Sequence, residues 1–101
     1  MLDHLIDLDH VFHALADPTR RAIVVRLGRG GMPVSELAKP LPMTLAAVGQ
    51  HIQVLERSGL VKTHKTGRTR LCSLDEKAIA AAEVWLSGRR QIRDAGGGRS
   101  E

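Results

Sequence analysis

The clearest pattern of apolar and polar positions lies between Thr44 and Gly59. Three apolar residues fall at i, i+4 and i+7, on one face of a predicted helix: Val48, Ile52 and Leu55. The hydroxyl of Thr44 can cap the start of this helix, and Ser58 followed by Gly59 is typical of a helix end. Small or amide-bearing side chains occupy the opposite face: Ala46, Gln50, Gln53 and Arg57. Because glutamine amides pair with base edges and small side chains allow close approach, this face predicts a recognition helix for the DNA major groove.

Two helices are predicted near the start of the chain. The first has apolar residues every three to four positions: Leu5, Leu8, Val11, Phe12 and Leu15. It stops at Asp17, which is the predicted cap of the second helix. Pro18 suits the first position of that helix because proline has no amide proton to lose there. The apolar face of the second helix consists of Ala22, Ile23 and Leu27.

A third, short helix is predicted over Val34–Ala38, with Ser35 as its cap. Pro40 and Pro42 confine it to about two turns. Only a tight turn then separates it from the helix that starts at Thr44. Two helices joined in this way, the second with an exposed polar face, are typical of a helix-turn-helix.

Two strand-like runs follow, residues 60–65 and Thr69–Leu74, around the sequence Thr66-Gly67-Arg68. A glycine in such a turn predicts a β-hairpin, here called the wing. From residue 62 to residue 70 the wing contains four basic residues and no acid. We therefore expect it to attract phosphates or a narrow minor groove.

A last helix is predicted to open at Leu74-Asp75-Glu76. Its apolar stripe comprises Ala78, Ile79, Ala82, Trp85 and Leu86. The tryptophan is the single one of the chain and suits the centre of a contact with a partner. The glycine run from residue 96 to residue 98 predicts that residues 95–101 form a disordered tail.

Together these elements predict a mainly α chain with a small β-hairpin. The expected fold is a winged helix-turn-helix of about five helices plus a two-stranded wing, in one DNA-binding and dimerisation domain over residues 1–94. A chain of 101 residues buries a modest core and usually gains from association, which favours a homodimer.

The composition adds a preference for polyanionic partners. Lys and Arg number 15 against 11 Asp and Glu, a formal net charge of +4, which favours nucleic acid or an acidic membrane surface without choosing between them. The single cysteine, Cys72, excludes an internal disulfide and favours a reducing, cytoplasmic compartment. Neither a secretion signal nor an apolar stretch of about 20 residues is apparent, so we expect no membrane association.

Three segments resemble the ArsR/SmtB family of winged-helix repressors. They are ALADPTRR at residues 14–21, SELA at residues 35–38, and V-x-x-H-x-x-x-L-x-x-x-G-L-V at residues 48–61. The resemblance covers about residues 8–90. It implies homodimers formed through the first and last helices, operators with dyad symmetry, and repression of transcription.

The chain departs from the family pattern in three ways. The third helix lacks the Cys-x-Cys pair of metal-sensing members, and the Asp and His ligands of the last helix are absent. The resemblance is thus to the branch without metal ligands, and we expect no metal and no other cofactor. Many members have serine or arginine just before the histidine of the recognition helix, where this chain has Gly49-Gln50, so base preference cannot be transferred.

Two sets of candidate site residues follow. The predicted DNA contacts are Thr44, Ala46, Ala47, Gln50, His51, Gln53, Lys62, Lys65, Arg68 and Arg70, with Gln50 the foremost candidate for a base edge. The predicted dimer contacts are Leu8, Val11, Phe12, Leu15, Ile79, Ala82, Trp85 and Leu86.

Four features have a second interpretation. His51 could bond a phosphate or only pack locally, and Arg20 and Arg21 could touch phosphate or pair with Asp17 or Glu36. Cys72 could be a redox switch, although half-buried packing on a strand is the simpler interpretation. The histidines near the N-terminus could be a metal cluster: His4, His10 and His13. They lack an acid or a cysteine at ligand spacing that would complete such a site.

No combination of nucleophile, base and orienting group indicates an enzyme, and no glycine loop is typical of phosphate binding. The predicted function is a sequence-specific transcriptional regulator that binds double-stranded DNA as a homodimer and does not respond to metals. The competing class is an interaction module that uses the wing and the Trp85 helix to bind protein.

Overall fold

A computed structural model describes residues 6–95 of the chain, with side chains described as far as Arg89. Within that range the elements are α1 (Leu8–Leu15), α2 (Pro18–Leu27), β1 (Met32–Pro33), α3 (Val34–Ala38), α4 (Leu45–Arg57), β2 (Val61–Thr66), β3 (Thr69–Leu74) and α5 (Glu76–Ala95). The predicted helices and hairpin are confirmed. Leu5 lies outside the described residues, as does the expected disordered tail apart from Ala95, which ends α5.

The predicted starts of α2 and α4 are confirmed. Asp17 Oδ2 accepts a hydrogen bond from the Arg20 amide at 3.0 Å, and Pro18 is the first residue of α2. Thr44 Oγ1 accepts a hydrogen bond from the Ala47 amide at 3.0 Å. Each bond satisfies one of the amides that a helix start leaves without an intrahelical partner.

The predicted cap of α3 is wrong. This helix begins at Val34, directly after an extended Pro33, and no side chain caps it. Met32 and Pro33 pair with β3, so the backbone stays extended up to the residue before the helix. Ser35 therefore falls inside the first turn, where its hydroxyl cannot act as the cap.

The hydrophobic core receives side chains from all five helices and from the hairpin. Its buried members are Val11, Ala14, Ile23, Leu27, Leu37, Val48, Ile52, Leu55, Leu60, Val61, Cys72, Ala78 and Ala82. Burial of each large aliphatic side chain stabilises the fold by about 1.5–3 kcal/mol. The three core residues of α4 form the stripe that the sequence predicts, and they fix which face of α4 remains exposed.

The sheet has three antiparallel strands in the order β1-β3-β2. The hairpin pairs Val61 with Leu74 at its base and Thr66 with Thr69 at its tip. The edge strand β1 was missed, because two residues give no detectable alternation. Pro33 has no amide to donate, and an edge position is the place in a sheet that tolerates this.

Two glycines with positive φ shape the connection from α4 to the wing. Gly59 (φ 88°) ends α4, where its amide donates to the Glu56 carbonyl at 3.0 Å and the Leu60 amide donates to the Leu55 carbonyl at 3.1 Å. This pair of bonds is the Schellman motif, which requires a left-handed residue. Gly67 (φ 63°) forms the tip of the hairpin. Both positions match the sequence prediction.

The longest element is α5, which packs against α1. Asp75 accepts a hydrogen bond from the Lys77 amide at 3.1 Å, and its own amide donates to the Leu60 carbonyl at 2.9 Å. The start of α5 is therefore tied to the residue that precedes the wing. Among residues 6–95, neither α5 nor any other helix combines the length and apolar character needed to cross a membrane.

Candidate nucleic-acid interface

The exposed face of α4 carries four side chains that the sequence places there: Ala46, Gln50, Gln53 and Arg57. Leu45 and Gly49 lie on the same side, one turn apart, and Leu45 is 58% exposed. Sequence reasoning missed both residues. Counting back from Gln53 in steps of four would have found them, since residues four apart are neighbours on a helix surface. The face thus combines amides with one apolar edge.

The register of the wing divides its basic residues between two faces. Lys65 lies directly opposite Arg70, and Thr63 lies opposite Cys72, so these side chains share the face that continues into the core. Lys62 lies opposite Ser73 on the other face. Like charges directly opposite each other on paired strands are destabilising. The Lys65 and Arg70 pair therefore favours an anion close to that face.

Two consecutive side-chain hydrogen bonds join the wing to the end of α4. Thr63 Oγ1 donates to Glu56 Oε2 at 2.9 Å and accepts a hydrogen bond from an Arg70 guanidinium nitrogen at 3.2 Å. The Thr63 hydroxyl uses its donor and an acceptor position at once. We call Glu56, Thr63 and Arg70 the helix–wing clamp. It sets the position of one basic wing residue relative to the exposed face of α4.

The basic residues of α2 are used within the protein. Arg20 Nε donates to the Ala14 carbonyl at 2.7 Å, and Arg21 donates to the Leu15 carbonyl at 2.8 Å. These carbonyls belong to the last turn of α1, where a helix leaves acceptors without intrahelical partners. Arg26 likewise donates to the carbonyls of Glu36 and Leu37 in α3, at 3.1 Å each.

Ion pairs with Asp17 or Glu36 were one of the two alternatives for Arg20 and Arg21, and they do not form in the described part of the chain. Glu36 pairs instead with Lys39 at 2.8 Å, and that hydrogen bond, with the lysine charge, holds the pKa of the Glu36 carboxyl below its usual range. The arginines of α2 therefore cap neighbouring helices, which leaves Arg57 on the exposed face of α4 and the basic residues of the wing as candidates for contact with phosphate.

His51 joins α4 to the corner between α1 and α2. Its Nδ1 lies 3.3 Å from a guanidinium nitrogen of Arg20 and 4.0 Å from Asp17 Oδ2. A neutral ring can accept at Nδ1 from the Arg20 guanidinium, whereas a protonated ring carries a charge that attracts the Asp17 carboxylate. The local interpretation of His51 gains these two partners, and its contact with phosphate stays a prediction.

The environment of Asp17 favours its charged form. The hydrogen bond from the Arg20 amide lowers the pKa of this carboxyl most, and the charges of Arg20 and His51 lower it further against an opposing effect of burial. Asp17 thus links the cap of α2 to the side chain that α4 presents to this corner.

The histidines near the N-terminus do not assemble a ligand set within the described residues. His10 Nδ1 lies 2.9 Å from Asp7 Oδ2, and His4 is outside the described range. Among the side chains that the structure describes, from residue 6 to residue 89, no three of the His, Cys, Asp or Glu type are grouped to hold a metal ion.

Cys72 is fully buried, whereas the sequence suggested half-buried packing. Its side chain shares the inner face of the sheet with Thr63 and Leu74. Burial raises the pKa of the Cys72 thiol, and the nearby Arg70 charge offsets only part of that effect. A thiol that is hidden from solvent and held protonated is a poor redox switch.

The residues predicted to form a dimer divide into three groups by exposure. Val11 is 0% exposed and Ala82 is 8% exposed, so both belong to the core of the protomer and not to a surface for a partner. Trp85 and Leu86 remain 44% and 52% exposed. The Phe12 ring meets the Trp85 ring edge to face at 5.7 Å, and the Arg89 guanidinium lies 4.7 Å from the Trp85 ring centre. The other members, Leu8, Leu15 and Ile79, are partly buried against the core.

Comparisons with known proteins agree with this architecture. A family model described as a helix-turn-helix domain matches residues 15–64, from the end of α1 to the middle of β2. The HTH-type transcriptional regulator Rv2034 of Mycobacterium tuberculosis is 41% identical over an alignment 97 residues long, and the match covers 88% of this chain and 91% of the relative. The transcriptional repressor SdpR of Bacillus subtilis is 25% identical over 79 residues, covering 78% of this chain and 88% of SdpR.

Among solved structures, the crystal structure of an ArsR family transcriptional regulator matches with a TM-score of 0.80 and 48% identity. The match covers 84% of this chain and 93% of that one. The named relatives are regulators and not enzymes.

Proposed function

This chain belongs to the ArsR/SmtB family of winged helix-turn-helix transcriptional regulators, and on that premise we propose that it is a homodimeric repressor of an inverted-repeat operator. Its ligand is double-stranded DNA, and its place of action is the cytoplasm. The recognition helix α4 reads bases in the major groove while the wing contacts phosphates or the minor groove.

One observation carries this proposal: the clamp links the amide-bearing helix to a wing face on which two like charges are paired. Gln50 and Gln53 can each donate and accept toward a base edge, which distinguishes base pairs in the major groove. Lys65 and Arg70 are like charges directly opposite each other, and a further anion beside them would offset their mutual repulsion. A DNA duplex offers base edges and phosphates at the same time, so one ligand fits both parts.

Repression and dimerisation have separate support. SdpR is named as a transcriptional repressor, and we extend that activity to this chain. A homodimer is supported by the exposed apolar residues that α5 leaves beside α1, Trp85 and Leu86. A two-fold dimer presents two copies of α4, and these read half-sites about 34 Å apart in a palindromic operator.

The operator can be found by selection from a pool of random duplexes with the full chain as bait. We expect enrichment of an inverted repeat, bound with an affinity that falls as salt rises. As a control, the same selection with Gln50→Ala and Gln53→Ala combined should lose the enriched sequence but keep weak, salt-dependent binding. If the wild-type chain enriches no duplex, the proposal is wrong and the interaction module becomes the better account of the wing and of α5.

We also propose that DNA binding does not respond to metals. No ligand set is grouped among the described side chains of residues 6–89, and Cys72, the only cysteine of the chain, is buried. Zinc, cadmium or arsenite at one equivalent per subunit should therefore leave the affinity for the selected operator unchanged. A tenfold fall, about 1.4 kcal/mol of coupling, would reveal an allosteric site and refute this part of the proposal.

A further inference from the structure

Gly49 occupies an interior position of α4, where glycine is unfavourable. Glycine loses more backbone freedom than any other residue when a helix forms. The backbone of Gly49 is not in the left-handed region, because the positive-φ glycines of the described residues are Gly30, Gly59 and Gly67. A Cβ placed on Gly49 would meet no atom within 4 Å. Neither the conformation nor the packing of the protomer therefore requires glycine at this position.

The residues around Gly49 define the depression that the absent side chain leaves on the surface of α4. Leu45 precedes it by one turn and Gln53 follows it by one turn, while Gln50 is adjacent in sequence on the same exposed side. Leu45 is largely exposed although it is apolar. The absence of a Cβ leaves a notch on α4, with an apolar side chain at one end and an amide at the other.

We infer that the notch at Gly49 receives the C5 methyl group of a thymine and makes Gly49 and Leu45 specificity-determining residues. The inference rests on the proposed function, since it needs α4 in the major groove. That groove is about 12 Å wide and a helix with its side chains is about 10–12 Å across, so the fit is close. Thymine presents a methyl group in this groove, and an apolar side chain is its natural neighbour. The notch lets α4 approach until Gln50 and Gln53 reach the flanking base edges.

The first test separates folding from binding. Gly49→Ala should raise the midpoint of thermal unfolding, because alanine is the better helix former and its methyl group meets no protein atom. The same variant should bind the selected operator about tenfold more weakly than wild type, a loss of about 1.4 kcal/mol. Gly88→Ala is the matched control: Gly88 is a glycine within α5 whose added Cβ also meets nothing within 4 Å. This control should raise the unfolding midpoint and leave operator affinity unchanged.

The second test identifies the methyl group. Each thymine of the selected operator is replaced in turn by deoxyuridine, which lacks only the C5 methyl. At one position per half-site, the replacement should weaken wild-type binding but strengthen the binding of Gly49→Ala, because the added Cβ and the thymine methyl compete for one space. The Leu45→Ala variant should bind the thymine duplex and the deoxyuridine duplex with equal affinity at that same position.

The outcomes distinguish this inference from the proposed function. If the wild-type chain selects an operator and Gly49→Ala binds it as tightly as wild type, the inference is overturned and the function stands. If Gly49→Ala binds every deoxyuridine duplex more weakly than wild type does, and by the same factor at each position, the thymine assignment is overturned. Failure of the wild-type chain to select any duplex overturns both.

Discussion

At the scale of single residues, Asp17 brings three elements together. It follows α1, caps α2 through the Arg20 amide at 3.0 Å, and lies 4.0 Å from His51 on α4. The cap could be predicted because an acid before proline is a local signal. The contact with His51 could not, since it depends on how α4 crosses the corner between α1 and α2. Local chemistry was therefore predictable at this residue, and its tertiary partner was not.

Asp17 should contribute to the pH dependence of stability. The fold lowers the pKa of its carboxyl below the ordinary value of 3.8, so the charged form is favoured in the folded state. The resulting stability is present above the unfolded pKa and is lost as the pH falls through the folded pKa. Thermal unfolding from pH 6 down to pH 2 should thus show a shallower acid decline for Asp17→Asn than for wild type.

The control for this measurement is Asp9→Asn, which removes an equal charge from the first turn of α1. Asp17→Asn should also lower the unfolding midpoint at pH 7, because the amide keeps the cap but loses the charge facing Arg20. An acid decline of Asp17→Asn as steep as that of wild type would contradict the role given to this carboxyl.

At the scale of elements, α4 and the wing were predictable for different reasons. The bounds of α4 follow from Thr44 and Gly59, and the wing follows from a glycine between two strand-like runs. Alternation along a strand places Lys62 and Lys65 on opposite faces, but the pairing of Lys65 with Arg70 depends on strand register, which could not be read from the sequence. The clamp from Glu56 to Arg70 depends on the same register.

Loss of the clamp should loosen the wing relative to α4. Thr63→Val keeps the shape and strand preference of the residue but removes the hydroxyl that bonds both Glu56 and Arg70. We expect about three- to tenfold weaker binding to the selected operator. Without the clamp, the wing must be ordered when DNA binds, and the entropy lost in that ordering reduces the affinity. Fluorescence anisotropy with labelled duplex measures the change.

Thr69→Val, at an exposed position near the tip of the hairpin, is the matched control and should bind like wild type. Circular dichroism spectra of both variants should match that of wild type. Unchanged operator affinity in Thr63→Val would mean that the clamp does not prepare the wing for DNA.

At the scale of the whole molecule, net charge alone does not locate the interface. The formal charge of +4 includes Arg20, Arg21 and Arg26. Their guanidinium groups donate hydrogen bonds to backbone carbonyls of α1 and α3. Composition cannot distinguish an arginine that bonds carbonyls from one that faces solvent. The acid-free stretch from residue 62 to residue 70 was the more reliable signal, since a solvated hairpin has few internal acceptors for its charges.

The proposed dimer should depend on Leu86. This residue is 52% exposed on α5, and a buried carboxylate without a partner would strongly oppose association. Leu86→Glu should sediment as a monomer at micromolar concentration, where wild type sediments as a dimer.

Val84→Glu provides the control, because Val84 is an exposed apolar residue of α5 outside the proposed contact set. It should remain dimeric. A wild-type monomer, or equal behaviour of the two variants, would contradict the proposed interface.

Gln50 and Arg68 represent the two ways in which this molecule should hold DNA. Gln50 lies on the exposed face of α4, where its amide can read a base edge, and Arg68 lies at the tip of the wing, where its charge can meet phosphate. The measurement that separates them is a salt titration of wild type, Gln50→Ala and Arg68→Ala on the selected operator and on a random duplex.

Gln50→Ala should weaken the operator complex by about 1–3 kcal/mol and barely change binding to random duplex. Arg68→Ala should weaken both complexes and reduce the slope of log affinity against log salt by about one unit. The opposite pattern, with uniform loss and a reduced slope for Gln50→Ala and sequence-selective loss for Arg68→Ala, would contradict the assignment of α4 as the element that reads sequence.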